Sequence, residues 1–154
     1  MLSGRLLKRI EAHWQDIAAA VVLAAHTDER SRHYRSLDDE GLRNRAHDLV
    51  ANLRQWLDAG NDDSAELRYR ALGQTRYQQH FPLHEVITAI QLIERKIEDY
   101  IQVENAAQSS LDLYAELEML RALHRYFQVV QRSVVEGYER SAQASHDWHI
   151  AQAS

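Results

Sequence analysis

The stretch Leu72-Gly73-Gln74-Thr75-Arg76-Tyr77-Gln78-Gln79-His80-Phe81-Pro82-Leu83-His84-Glu85-Val86-Ile87-Thr88-Ala89-Ile90 contains the single proline of the chain. Proline lacks an N–H and clashes with the preceding turn, so it avoids helix interiors but suits the first turn of a new helix. The segment therefore predicts one helix ending near His80 and another starting at Pro82. Upstream, Leu67, Ala71, Leu72 and Thr75 form an apolar line at helical steps, with Asp63 or Ser64 as its cap. Downstream, Leu83, Val86, Ile90, Ile93, Ile97 and Tyr100 form a stripe reaching about Val103, widened by Ile87 and Ile101. A stripe that wide predicts burial on more than one side.

The same periodicity organises the rest of the chain. A first helix is predicted from about Leu6 to Ala25, with Leu6, Ile10, Trp14, Ile17 and Val21 inward. A second starts at Ser36, with Asp39 in its first turn, and buries Leu42, Ala46, Leu49, Leu53, Trp56 and Leu57. Ala59-Gly60-Asn61-Asp62-Asp63 ends it. A fifth helix starts at Ser109 and meets no stop before Ser145. It carries Leu113, Leu117, Leu120, Leu123, Phe127, Val130, Val134 and Tyr138. No stretch alternates with period two. The expected class is all-α, with one domain over 1–140 and residues 141–154 as an extension of the last helix or a frayed tail.

Composition narrows the function. The 154 residues are 45% hydrophobic and 27% charged, which excludes wholesale disorder. Zero cysteines exclude a disulfide scaffold, a thiol nucleophile and Cys-ligated metal. A net charge of −5 lacks the basic footprint of a nucleic-acid binder. The longest apolar run, Ile17 to Ala25, is too short to span a bilayer. Arg5, Lys8 and Arg9 precede it as in a secretion signal, but Glu11 and Asp16 between periodic apolar positions fit a core helix of a cytoplasmic protein.

The side chains that carry chemistry are sparse in pattern. His80 and His84 are four apart but flank Pro82, which breaks any shared helical face. His146 and His149 lie near the C-terminus without a third ligand. Closed metal sites need three or four ligands, so no metal is expected. Asp38-Asp39 and Asp62-Asp63 sit at predicted helix starts, where acids complement the helix dipole. No phosphate loop, nucleophile elbow or zinc-helix motif occurs, and no enzyme activity is expected.

The stretch from Leu72 to Ile90 resembles the proximal segment of globin-coupled sensors, approximately I-G-x-x-H-x-x-x-G-L-P followed by G-A-Y. Gly73, Pro82 and Ala89 fall on the matching glycine, proline and alanine, while Leu72, Phe81 and Ile90 keep their positions apolar. It resembles still more the N-terminal domains of RsbT co-antagonist proteins of the RsbRD type. Their arginine before P-L-x-E and an aliphatic helix is met by Arg76, Pro82, Leu83 and Glu85. The resemblance spans about Glu66 to Ile101. It implies a globin-like helical bundle with a long C-terminal helix, serving as a sensory or regulatory input domain of bacterial stressosome or sensor-kinase signalling. Where the haem-binding sensors place their proximal histidine, this chain has Arg76, which has no lone pair for iron. His80 falls where the sensors have glycine. The resemblance thus implies no haem cofactor, no catalysis, and a downstream regulatory, kinase or sulfate-transporter-type partner.

Two readings of ligand chemistry follow. Arg76 with Tyr77 and Tyr69 is a candidate anion or small-ligand site, although Arg68, Tyr69, Arg70 and Tyr77 equally fit a solvated face. Alternatively, the vestigial haem space holds a lipid-like apolar ligand, which requires a closed pocket of several hundred Å³. Leu113, Leu120, Phe127 and Val134 recur every seven residues, flanked by Leu117 and Val130. This wide band predicts a homodimer whose contact, made by the fourth and fifth helices of two chains, includes the fifth helix as the output route.

Overall fold

The computed structural model describes residues 3–27, 37–104 and 109–153. Six helices follow one another: α1 (Gly4–Ala12), α2 (Trp14–Thr27), α3 (Asp39–Ala59), α4 (Asp63–Gln78), α5 (Leu83–Glu104) and α6 (Ser110–Ala153). Among the described residues there is no strand, and the all-α expectation holds.

The helix ends follow local chemistry. Asp38, not Ser36, is the N-cap of α3, its Oδ1 accepting the Gly41 N–H at 2.7 Å. Ser36 lies outside the described residues. Gly60 ends α3 with a left-handed φ of 71°. The Asp62 carboxylate accepts the Trp56 Nε1–H at 2.7 Å instead of capping, and α4 begins at Asp63. Ser109 Oγ accepts the Asp112 N–H at 3.2 Å and caps α6 as its sequence predicts. The Pro82 carbonyl accepts the N–H groups of Glu85 and Val86 and opens α5.

The α4–α5 junction is a Schellman stop. The Phe81 N–H reaches back to the Arg76 carbonyl and the His80 N–H to that of Tyr77, both at 3.0 Å. The residue between the helix and these bonds must be left-handed, and His80 takes that role with φ 62°. An L side chain is disfavoured there. Glycine at this place would carry no such cost.

The predicted first helix is two. His13 interrupts it, and its carbonyl restarts the chain by accepting from Asp16 and Ile17. The break lets α1 bury Leu6, Leu7 and Ile10 while α2 buries Ile17, Ala18, Val21 and Val22 on a different course. Trp14 stacks on His47 at 4.0 Å just after the bend, and Arg54 of α3 grips both Glu11 carboxylate oxygens of α1.

The face of α4 is also corrected. Its buried residues are Ala65, Tyr69, Gly73 and Arg76, whereas Leu67 is 72% exposed and Ala71 and Thr75 face solvent. Contact with α6 decides that face. A Cβ at Gly73 would overlap the Val134 carbonyl, and one at Gly137 would overlap the Arg70 backbone, so the two helices cross backbone against backbone. Hydropathy gives glycine no weight, and the buried face is invisible to an apolar count.

Helix α6, 44 residues long, spans roughly 66 Å at 1.5 Å per residue. It is uninterrupted through residues 141–153, whose side chains are half-buried or exposed.

Two substitutions test this account. Replacing Gly137 with Ala adds about 1 kcal/mol of helix propensity but forces the α4–α6 crossing apart. A net loss of about 2 kcal/mol by urea unfolding is expected. His80→Gly relieves the left-handed strain and is expected to stabilise by about 0.5–1 kcal/mol, or roughly 2 °C in Tm. A lower Tm for His80→Gly would contradict the Schellman geometry.

Candidate functional site

Arg76 sits on the buried face of α4, three residues beyond the glycine crossing. It is 9% exposed. Its Nη1 donates to Gln79 Oε1 at 2.8 Å, and its guanidinium lies 4.8 Å from the centre of the Phe81 ring. That ring is the residue whose N–H closes the Schellman turn, so the helix stop fixes the cation–π contact. No carboxylate lies within ion-pairing distance of Arg76 among the described residues. Burial lowers the Arg76 pKa, and the charge of Arg45 lowers it further.

Arg45 comes from α3. Asn52 of α3 donates to the Tyr69 hydroxyl of α4 at 3.1 Å, which sets the level of the two antiparallel helices. Two turns from that bond, back along α3 and onward along α4, bring Arg45 and Arg76 to one level. Arg45 is half-buried, its Nη1 is 3.6 Å from Asp48, and its buried Nε has no hydrogen-bond partner among the described residues.

The tyrosines named with Arg76 are used elsewhere. Tyr69 is fully buried, accepts from Asn52 and donates to Tyr126 at 3.0 Å, while Tyr126 donates to the Leu49 carbonyl at 2.9 Å. Burial pushes both hydroxyls up, that of Tyr126 well above its ordinary value. Tyr77 packs edge-on to Tyr138 at 5.3 Å, and Tyr138 donates to the Phe81 carbonyl at 2.7 Å. Arg45, Gln79 and Phe81 are the residues that sequence reading misses. Only the pairing of α3 with α4 reveals Arg45, whereas Gln79 and Phe81 lie in the quoted stretch.

Tyr69, Tyr126 and Phe127 fill the space between α3, α4 and α6, each of them fully buried. A partly open cleft lined by Asn52, Trp56 and Ala65 measures about 10 Å³, the limit for one water.

The seven-residue band of α6 divides in two. A seven-residue repeat drifts by about 20° per heptad on a 3.6-residue helix. Leu113 is 48% exposed, Leu117 is 39% exposed, and Leu120 is half-buried. Phe127, Val130 and Val134 are fully buried in the chain's own core and do not face outward. The outward end borders an open groove of about 760 Å³ lined by Tyr114, Leu117, Leu120, Arg121 and His124. Across its edge His124 Nδ1 lies 3.5 Å from Glu94, whose pKa burial raises, with Glu98 adding to the rise.

The remaining candidates are placed simply. His80 is at the helix stop and His84 on α5, while His146 and His149 are exposed on α6. No group of three or more His, Cys, Asp or Glu is arranged to hold a metal among the described residues. Asp39 accepts from His26 Nε2 at 2.8 Å, and Asp63 lies in the first turn of α4. No helix among the described residues is long and apolar enough to cross a membrane.

With this geometry in place, the comparisons with known proteins are specific. A family model described as the RsbT co-antagonist protein rsbRD N-terminal domain matches residues 15–152. The chain belongs to this family. The match takes in α2 to α6 and therefore both the Arg76 environment and the α6 flank. No curated protein and no solved structure matches the chain. Membership makes it a stressosome-type regulatory domain, a class that works through protein partners.

Removing the Tyr126 hydroxyl tests the buried network. Tyr126→Phe leaves the Leu49 carbonyl and the Tyr69 hydroxyl without this partner and is expected to cost about 1–3 kcal/mol. Chemical denaturation measures it, and an unchanged midpoint would show that the network contributes nothing.

Proposed function

We propose that this RsbRD-type domain is a non-catalytic, haem-free sensory or regulatory input of a cytoplasmic signalling assembly. It works as a homodimer and passes its state along α6 to a regulatory, kinase or sulfate-transporter-type partner. The observation that carries this reading is the family match over residues 15–152. A globin-like ancestry accounts for the helix order around Pro82, and a guanidinium where the proximal histidine would stand supports the loss of haem.

The dimer contact belongs to the first three turns of α6. Leu111 and Tyr114 are 61% and 64% exposed and lie near Leu113 and Leu117, so the apolar flank has no cover among the described residues. A contiguous apolar patch of this kind favours a protein contact. Farther along, α6 is locked to α4 by the glycine crossing and by Arg70, which pairs with Glu66 and with Glu136 at 3.1 Å. A partner's shift at the flank thus reaches α4 through a rigid helix, and the exposed stretch beyond Ser141 carries it outward.

Light scattering at micromolar concentration is expected to give a dimer for the wild type. Leu113→Glu combined with Leu117→Glu is expected to give a folded monomer with unchanged helicity. A wild-type monomer would overturn the dimeric reading. Expression with added haem is expected to give no Soret band, and a stoichiometric band would overturn the haem-free reading.

A further inference from the structure

We propose that Arg45 and Arg76 form a binding site for a small oxyanion, the phosphate or carboxylate group of a metabolite, between α3 and α4. The binding claim stands on these side chains alone. Its meaning as a signal rests on the input-domain reading above.

The argument begins with charge. Arg45 and Arg76 each lie two turns from the Asn52–Tyr69 bond on their own helices, and among the described residues the carboxylate within ion-pairing reach is Asp48, 3.6 Å from Arg45 and exposed on the same helix. Such an exposed pair is a weak neutraliser. Arg76 is nearly buried and meets an amide oxygen and an aromatic face, neither of which carries a negative charge. A buried cation normally sits beside an anion, because desolvation without one is costly. Among the described residues no such anion stands beside Arg76.

The donors are available as well. A guanidinium has five N–H groups in a planar fork that matches two oxygens of a carboxylate or phosphate. Arg76 spends one on Gln79, and the buried Arg45 Nε–H has no acceptor among the described residues. Phe81 and Gln79 hold Arg76 in place, so an arriving anion meets a donor whose conformational entropy is already lost. Arg45 keeps part of its side chain at the surface, which gives a path of entry. Arg76 also follows Gly73 by one turn, so an anion drawing α3 and α4 together acts close to the α4–α6 crossing.

The test uses the whole chain in a chloride medium of constant ionic strength, titrated with inorganic phosphate and, separately, with acetate. The wild type is expected to show a saturable rise in Tm, about 8 °C at a hundredfold excess over Kd. Phosphate also stabilises proteins without binding, through exclusion from their surface. The deciding quantity is therefore the difference between the wild type and Arg45→Gln or Arg76→Gln, which lose the saturable part, while Arg125→Gln keeps it. If Arg76→Gln does not fold, the Arg45 Nε–H resonance of the wild type decides, and a saturable displacement by the anion is expected. Saturation by phosphate alone assigns a phosphate group, and saturation by acetate alone assigns a carboxylate. No saturable response to either, or equal responses in wild type and both variants, overturns the site whatever the oligomeric state proves to be.

Discussion

The crossing of α4 and α6 at Gly73 and Gly137 is the constraint on which the rest of the molecule depends. Each glycine faces the other helix's backbone, so neither position accepts even a methyl group without separation. Close approach brings Tyr69 of α4 within hydrogen-bonding reach of Tyr126 of α6, and Tyr138 of α6 within reach of the Phe81 carbonyl. It also aligns Arg70 with Glu136 and Arg132 with Glu66 along the rim. These exposed and half-exposed pairs contribute little energy singly. Their role is register: they sit where the glycines have already placed the helices.

That constraint explains what was legible in the sequence and what was not. Stops and starts depend on local chemistry, so Pro82, Gly60 and the Ser109 cap are readable from neighbours alone. The wide stripe of α5 is readable because Val86, Ile90, Ile93 and Ile97 are apolar and buried. The buried face of α4 is not, because two of its four buried residues are a glycine and an arginine. The bend at His13 is hidden for another reason. Residues on both sides are good helix formers, and only the divergent packing of Leu7 and Val22 requires a break.

The candidate site shows the same division. Arg76 is conspicuous in the sequence because the resemblance to haem sensors sets it where they place a ligand histidine. Tyr69 and Tyr77 look like its companions because they share its helix, yet one is tied to α6 through Tyr126 and the other packs on Tyr138. Arg45 is distant in sequence and joins Arg76 only through the antiparallel pairing fixed by Asn52 and Tyr69. Chemistry carried by one helix can be read from spacing. Chemistry shared between helices needs their register.

Helix α6 joins these elements because its apolar repeat does not match its own turn. A strict seven-residue spacing on a straight helix drifts by about 60° over three heptads. Drift of that size accords with an exposed Leu113 and a buried Phe127 and Val134 on one continuous helix. One continuous helix thus presents an uncovered flank at its start and a core face at its middle. A regular coiled coil would keep one face to a partner throughout and leave α4 without its backbone contact. A strictly 3.6-residue stripe would bury its whole length in the monomer and leave no apolar flank. The mismatch lets one helix leave an apolar flank exposed at its start and pack against α4 at its middle.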